Sequence, residues 1–419
     1  MKILFAAAEV SPFSKAGGLS DVVGSLPKAL EKDAEIAIFT PLHGCIDREK
    51  WGIKELENSE MWITFGTSPQ KFKLHMTKLP DTNINVFFVQ NDWYFSCFKE
   101  VYPRWLDPRY EHERYIAFSL ATLEYAKQLN FRADIIHSNV GPLAAGIYAS
   151  IVNGIPHVWH QREFVNSYPG LNFFPSFSCF LRLAHYHNNY NICITRGVFE
   201  NIQGRKFQDV VIYDGVFSIS KLPKVNVSKE KYILFVGNIH PGKAPLGVIT
   251  AFGELHKDYP DYELLIAGNV NKESAYYKKC IEEVEKYKIE KLVKFLGLRS
   301  DVYSLMSKAK MIVVNSEFEG FGFITAEAML NDCVVVGKNT TGTKEQFDVG
   351  LQSTGHEIGI RFSDRSSLLL GMKRAINEDL TTMRQLARQV VIEKYSLELN
   401  VDNIIRYYNS ILEKNEKNT

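Results

Sequence analysis

The chain alternates short apolar runs with stretches of helical period, and it does so twice. In the first half "KILFAAAEV", "AEIAIFTP", "INVFFVQN", "ADIIHSN", "HVWHQREF", "YNICITRG" and "DVVIYDGVF" read as strands, with "SDVVGSLPKALEK" and "RYIAFSLATLEYAKQL" as helices between them. The pattern restarts at "KYILFVGN" and runs through "YELLIAGN", "VKFLGL", "KMIVVNSEF" and "CVVVGKN", with "SAYYKKCIEEVEKYK" among the helices. Such alternation predicts parallel sheets wrapped by helices. A length of 419 residues is too great for one ordinary core. The expected class is therefore α/β, with two doubly wound, Rossmann-like domains facing across a cleft. The polar stretch near residues 217–231 reads as the hinge, giving domains at 1–217 and 218–395. Residues 396–419 read as a helix with a frayed tail that packs back on the first domain.

Charge and composition exclude several classes. There are 49 Lys+Arg against 48 Asp+Glu, so nothing favours nucleic acid as a partner. No apolar run reaches the roughly 18 residues of a membrane span. The amino-terminal "KILFAAAEV" reads as a buried strand rather than a signal peptide, because a glycine loop and an amphipathic helix follow it. Cys45, Cys97, Cys179, Cys193, Cys280 and Cys333 are scattered without a C-x-x-C and read as reduced, mostly buried thiols. A cytoplasmic location is expected, with the inner face of the membrane as an alternative. Peripheral membrane contact would come from the aromatic-rich stretch at 166–187, for which a core role is the plainer reading.

In doubly wound sheets ligands bind beyond the carboxyl ends of the strands, and the candidate residues sit there. "FVGNIHPGKAPLGVITAF" is a strand, a loop with Gly237, Asn238, Gly242 and Lys243, and a helix start. Backbone N–H groups at a helix start beside a lysine favour an anion. The plainer reading is a tight turn with a solvated lysine. "SPFSKAGGLSDVV" repeats the design with Lys15, Gly17 and Gly18. In "SEFEGFGFITAEAML", Glu319 follows a strand, Gly320, Phe321 and Gly322 form a turn, and Glu327 lies in the next helix. Carboxylates suit vicinal hydroxyls because each offers two acceptor oxygens. Here too a plainer reading exists, a capping glutamate and a surface glutamate. Neither G-x-G-x-x-G nor the Walker pattern is present, which argues against a dehydrogenase or a P-loop enzyme.

These residues carry a resemblance. The two glutamates, eight apart around Gly-Phe-Gly, resemble the E-x7-E signature of retaining nucleotide-sugar glycosyltransferases of group 1, which have the GT-B fold. "LLIAGN", "VKFLGLRSDVYSLMSKAKMIVVNSEFEGFG" and "VVVGKNTTGTKEQF" resemble successive segments of that family. The first ~130 residues, including "MKILFAAAEVSPFSKAGGLSDVVGSLPKAL" and "TPLHGCID", are instead similar to bacterial glycogen and starch synthases, also GT-B enzymes.

The resemblance implies roles. Glu319, with the amides of Gly320, Phe321 and Gly322, would hold the donor sugar, and Glu327 the ribose. Lys243 would neutralise the diphosphate, with Lys15, Gly17 and Gly18 closing over it. Gly237, Asn238, Gly342, Thr343 and Glu345 would line the donor site, and His160 would lie against the sugar. Asn139, Arg162 and Glu163 would face the acceptor. The chain departs from the families in two places. Asn238 stands where many members have an arginine, for which Lys15, Arg299 or His240 would have to substitute. The synthases have a His-Asp-Trp after the "IIH" segment, where this chain has "HSNVG", with Asn139 and Val140. No metal or cofactor is expected; there is no Asp-x-Asp, and His185 and His187 read as surface or acceptor-facing. The implied partners are a nucleotide-sugar donor and a glycan or lipid-linked acceptor. Three functions remain open: a transferase for surface polysaccharide, an α-glucan synthase using ADP- or UDP-glucose, and a non-catalytic nucleotide-sugar-binding protein.

Overall fold

The structure is a computed structural model, and it describes all residues except 17, 66–67, 104–105, 140–144, 166–175, 226 and 417–419. The chain divides into two compact units. One holds Met1–Ile194, Val198–Ile212 and the chain from Val401 onward; the other holds Thr195–Gly197 and Tyr213–Asn400.

The second unit is built on a parallel sheet. Its spatial order is Val293–Gly297, Glu263–Ala267, Tyr232–Val236, Met311–Val314, Val334–Lys338 and Ile360–Phe362. Numbered along the chain, this is the doubly wound order 3-2-1-4-5-6. The strands are near-continuous apolar runs because both faces are covered, and Leu234, Ile266, Ile312 and Val335 are fully buried. Helices Pro245–Leu255, Ala275–Tyr287 and Arg365–Asn377 pack together on one face. Helices Val302–Lys308, Phe323–Leu330, Thr341–Thr354 and Thr381–Lys394 pack together on the other. The winding reverses between strands Tyr232–Val236 and Met311–Val314. The helices that follow these neighbours lie on opposite faces, so their connecting loops diverge and leave a crevice.

The sheet of the first unit runs Val210–Val211, Asn189–Cys193, His157–Gln161, Ile135–Ser138, Lys2–Ala6, Glu35–Pro41, Asn85–Gln90, Ser68–Lys78 and Lys54–Glu55. All pairs are parallel up to Asn85–Gln90, and the winding reverses between Lys2–Ala6 and Ile135–Ser138. Ser68–Lys78 is antiparallel to Asn85–Gln90 and also pairs with Met61–Phe65. This antiparallel ribbon is absent from the strands read above. Its signal was nevertheless present: in "KFKLHM" alternate residues are apolar, and Phe72 and Leu74 are buried while Lys71 is exposed. Residues from Val401 onward of helix Leu397–Glu416 belong to this unit. Tyr408 Oη lies 2.5 Å from His137 Nδ1, and Tyr407 donates to the Gln208 carbonyl at 2.5 Å. All six cysteines are free thiols. Cys193, Cys280 and Cys333 are buried but Cys45 and Cys97 are exposed, so the expectation of mostly buried thiols holds for only half of them.

His43, His137, His157 and His160, all in the first unit, are buried. His157 is held between Asn189 Oδ1 at 2.5 Å and Ser138 Oγ at 2.8 Å. Burial pushes His43 down to about 4 and His157 down to about 3. Burial first, and then the charge of Arg162, holds His137 and His160 well below the usual histidine range. These four rings are therefore neutral when folded and take up protons on unfolding. Their contribution is complete above about pH 6.5 and is lost as pH falls, by about 1.4 kcal/mol per pH unit for each ring. All five tryptophans lie between residues 51 and 159, so tryptophan fluorescence follows this unit. The fluorescence melting midpoint should drop by roughly 10 °C or more between pH 7.5 and 5. An unchanged midpoint would show that these histidines do not fold as neutral rings.

Candidate active site

The crevice of the second unit collects most of the predicted residues. Lys243 lies in the loop that leaves strand Tyr232–Val236. The loop is fixed by backbone bonds: Gly237 N–H donates to the Ala267 carbonyl at 2.9 Å, and Gly242 N–H to His240 Nδ1 at 3.1 Å. Asn315 Nδ2, from the facing loop, donates to the Ala244 carbonyl at 2.8 Å. Ala244, in the left-handed conformation at φ 50°, precedes helix Pro245–Leu255 and gives it no side-chain cap. Pro245 has no N–H and the Leu246 N–H is taken by the Tyr276 hydroxyl, so the positive end of that helix is carried by the rest of its first turn.

From the other side comes the loop after strand Met311–Val314. The Glu319 carboxylate is ion-paired with the Lys243 ammonium, and both side chains are more than two-thirds buried. The N–H groups of Gly320, Phe321 and Gly322 have no acceptor among the described residues. Gly322, at φ 89°, precedes helix Phe323–Leu330, and this helix also lacks a side-chain cap. The Phe321 ring is buried and packs on Phe323 and Tyr395 at 5.3 and 5.2 Å. Glu327 accepts from the Tyr303 hydroxyl at 3.1 Å.

The next helix start, Thr341–Thr354, props this loop. Gly342 N–H donates to the Glu319 carbonyl at 2.9 Å, and Glu319 N–H to Thr341 Oγ1 at 3.0 Å. A Cβ at Gly342 would lie 2.3 Å from the Phe321 carbonyl oxygen and 2.9 Å from that of Glu319, so only glycine allows this approach. Thr343 is buried, with its hydroxyl 3.0 Å from that of Thr325.

Other candidates face protein groups. The Glu345 carboxylate accepts from the N–H groups of Arg196 and Gly197 at 2.6 and 2.9 Å and from the Tyr213 hydroxyl at 3.0 Å. Both of its oxygens are thus engaged by the chain itself. Asn238 Oδ1 accepts from Asn269 N–H at 3.2 Å. Arg299 is held by Asp301 through Nε at 2.8 Å and a terminal nitrogen at 2.7 Å.

In the first unit, Lys15 is exposed, Gly18 opens helix Gly18–Leu30, and Gly17 lies outside the described residues. The Ala16 N–H ahead of that helix donates to the buried Glu9 carboxylate at 2.5 Å. His160 is fully buried in strand His157–Gln161. A terminal nitrogen of Arg162 lies 3.4 Å from both of its ring nitrogens, and Arg162 Nε donates to Asn139 Oδ1 at 2.8 Å. The three therefore form one buried polar cluster, with Glu163 half-buried beyond it. His185 Nε2 lies 2.9 Å from the Ile202 carbonyl, and the His187 ring packs on Tyr186 at 4.2 Å. Residues 166–175 of the aromatic stretch are outside the described residues, while Phe180 packs on Trp159 at 5.2 Å. Among the described residues no group of three or more His, Cys, Asp or Glu is arranged to hold a metal. Sequence reading singled out none of Asn315, Thr341, Gln346 and Thr195, which fix the crevice loops, although the first three lie within the segments that resemble the family.

The comparisons with known proteins fit this geometry. Residues 2–139 match the starch synthase catalytic domain family, and residues 219–359 match the glycosyl transferases group 1 family. The starch synthase IV catalytic domain of Arabidopsis thaliana, solved with ADP and acarbose, superposes with a TM-score of 0.74 at 15% identity, over 98% of this chain and 99% of that one. Anabaena HepE, solved with UDP and glucose, gives 0.68 at 19% identity, over 98% and 100%. The fold is GT-B. In sequence, the glycogen synthase of Pseudothermotoga lettingae is 38% identical over 148 residues, and that of Bacillus subtilis 37% over 145. Each match takes in 33% of this chain, and it spans only 28% and 27% of those relatives' own lengths.

Gly342→Ala should cost about 1–3 kcal/mol of stability through overpacking, because the colliding atoms are backbone. Chemical denaturation of the variant would measure this, and a cost near zero would mean that the loop shifts freely.

Proposed function

We propose that this GT-B protein is a retaining glycosyltransferase that moves glucose from ADP- or UDP-glucose to the end of an α-glucan. The observation that carries the reaction class is the meeting of Lys243 and Glu319 at the crevice, between two uncapped helix starts and beside the unengaged N–H groups of Gly320, Phe321 and Gly322. A cation and aligned amides suit a diphosphate leaving group, and a carboxylate suits the hydroxyls of a sugar. The α-glucan acceptor is supported by the starch synthase match over residues 2–139 and by the glycogen synthase relatives.

In the proposed reaction the bond between the anomeric carbon and the diphosphate oxygen breaks while positive charge builds on the sugar ring. Lys243 leaves Glu319 for the diphosphate and, with the helix starts, stabilises the negative charge that develops there. Glu319 is then free to accept from sugar hydroxyls, and Glu327 from the ribose. The acceptor hydroxyl attacks on the face the leaving group vacates and gives its proton to the departing phosphate. The protein supplies the positive charge in this scheme, so turnover is proposed to be metal-independent. The site of action is proposed to be the cytoplasm; no helix among the described residues is long and apolar enough to cross a membrane.

One observation favours transfer to a surface polysaccharide or lipid-linked glycan instead. The starch synthase match stops at residue 139, where Asn139 and Val140 in "HSNVG" stand in the segment that carries His-Asp-Trp in the synthases, and neither family match covers 140–218.

ADP-, UDP- and GDP-sugars should be assayed with and without glycogen and with EDTA. Glycogen elongation from one glucose donor, insensitive to EDTA, is expected. Glu319→Ala and Lys243→Ala should each lower kcat by about 10²–10³. Donor turnover that ignores glycogen would select the second acceptor class, and donor binding without turnover would make the chain a nucleotide-sugar-binding protein.

A further inference from the structure

Every carbonyl of the Glu319–Gly322 loop is anchored. The Glu319 carbonyl accepts from Gly342 N–H at 2.9 Å and that of Gly320 from the Thr195 hydroxyl at 3.1 Å. The carbonyls of Phe321 and Gly322 accept from one side chain, the Nε2 group of Gln346, at 2.7 and 3.0 Å. In a trans peptide the C=O of one residue points opposite to the N–H of the next. Four anchored carbonyls therefore turn the N–H groups of Gly320, Phe321, Gly322 and Phe323 the other way. The first three find no acceptor among the described residues, as a row of donors awaiting a ligand should.

The weak point of this row is the Phe321–Gly322 peptide. Gly322 sits at φ 89°, and without a Cβ it opposes a flip of that peptide only feebly. A flip would turn the Gly322 N–H inward. Gln346 stands against it. The Gly322 carbonyl also accepts from the N–H groups of Thr325 and Ala326 at 3.0 and 3.3 Å, so it is the Phe321 carbonyl that depends on the Gln346 amide; Gln346 is only 1% exposed, so water does not compete. The helix that carries Gln346 is itself set against the loop by the Gly342 contact.

We infer that Gln346 is a positioning residue that locks the Phe321–Gly322 peptide so that the Gly322 N–H faces the sugar of the donor. This rests on the nucleotide-sugar reading above. It gives Gln346 a role in sugar recognition and none in holding the nucleotide.

The test compares wild type with Gln346→Met, which keeps the length and loses the donor, and Gln346→Glu, which keeps the shape and loses the donor when ionised. Calorimetry measures the affinity for free nucleoside diphosphate and for the matching glucose donor, alongside kcat and KM. In both variants diphosphate affinity should stay within about threefold of wild type, while the extra affinity from the sugar and kcat should each fall about tenfold or more. In Q346E the deficit should shrink as pH falls from 8.5 to 6.5, because the protonated carboxyl regains one donor. Wild-type kcat and sugar affinity in Q346M would overturn the inference and leave the proposed function standing. Equal loss of diphosphate and sugar-donor affinity would also overturn it, as the mark of a collapsed loop. A wild-type protein that binds no nucleotide sugar would overturn the proposed function and this inference with it.

Discussion

The reversal of winding beside strand Tyr232–Val236 is the constraint from which the candidate site follows. Because helices Pro245–Leu255 and Phe323–Leu330 lie on opposite faces of one sheet, the loops that feed them separate at neighbouring strand ends. Neither helix start has a side chain at its N-cap bonding the first turn, although the Leu246 N–H is taken by the Tyr276 hydroxyl. Ser274 caps helix Ala275–Tyr287 and Asp364 builds a capping box on Arg365–Asn377, while the starts of Val302–Lys308, Thr341–Thr354 and Thr381–Lys394 also lack a side-chain cap. What sets the crevice apart is that its loops also bring Lys243 and Glu319 together.

The Lys243–Glu319 ion pair joins these two loops across the crevice. Two opposite charges, each largely withdrawn from water, find each other. In the proposed reaction each charge has another partner, the lysine a diphosphate and the glutamate sugar hydroxyls. In that proposal the ion pair is a resting contact that the donor replaces. The loop beneath it keeps its shape through Gly342, Thr341 and Gln346, which grip its backbone from the adjacent helix.

Much of this was legible before any coordinates. The apolar runs and their helical spacers predicted parallel sheets, and the glycine loops with Lys243 and Glu319 were placed correctly at strand ends. The ribbon at residues 54–78 was missed because lysines interrupt its apolar residues, although their alternation was readable. Glu345 and Asn238 were read as donor-site residues from their place in motifs. Their side chains bond to the backbone of Arg196, Gly197 and Asn269, partners that no local pattern reveals.

The sequence by itself determined the fold class, because burial on both faces of a parallel strand demands an unbroken apolar run, and a crossover demands a helix. It also determined which loops could carry chemistry, because glycines and charged residues at strand ends are local signals. Only the tertiary structure decided that Lys243 meets Glu319 across 76 positions of chain, and that Gln346 reaches back 25 and 24 positions to Phe321 and Gly322. Those contacts depend on strand order and helix face. These are set by packing over the whole sheet and leave no mark in any short stretch of sequence.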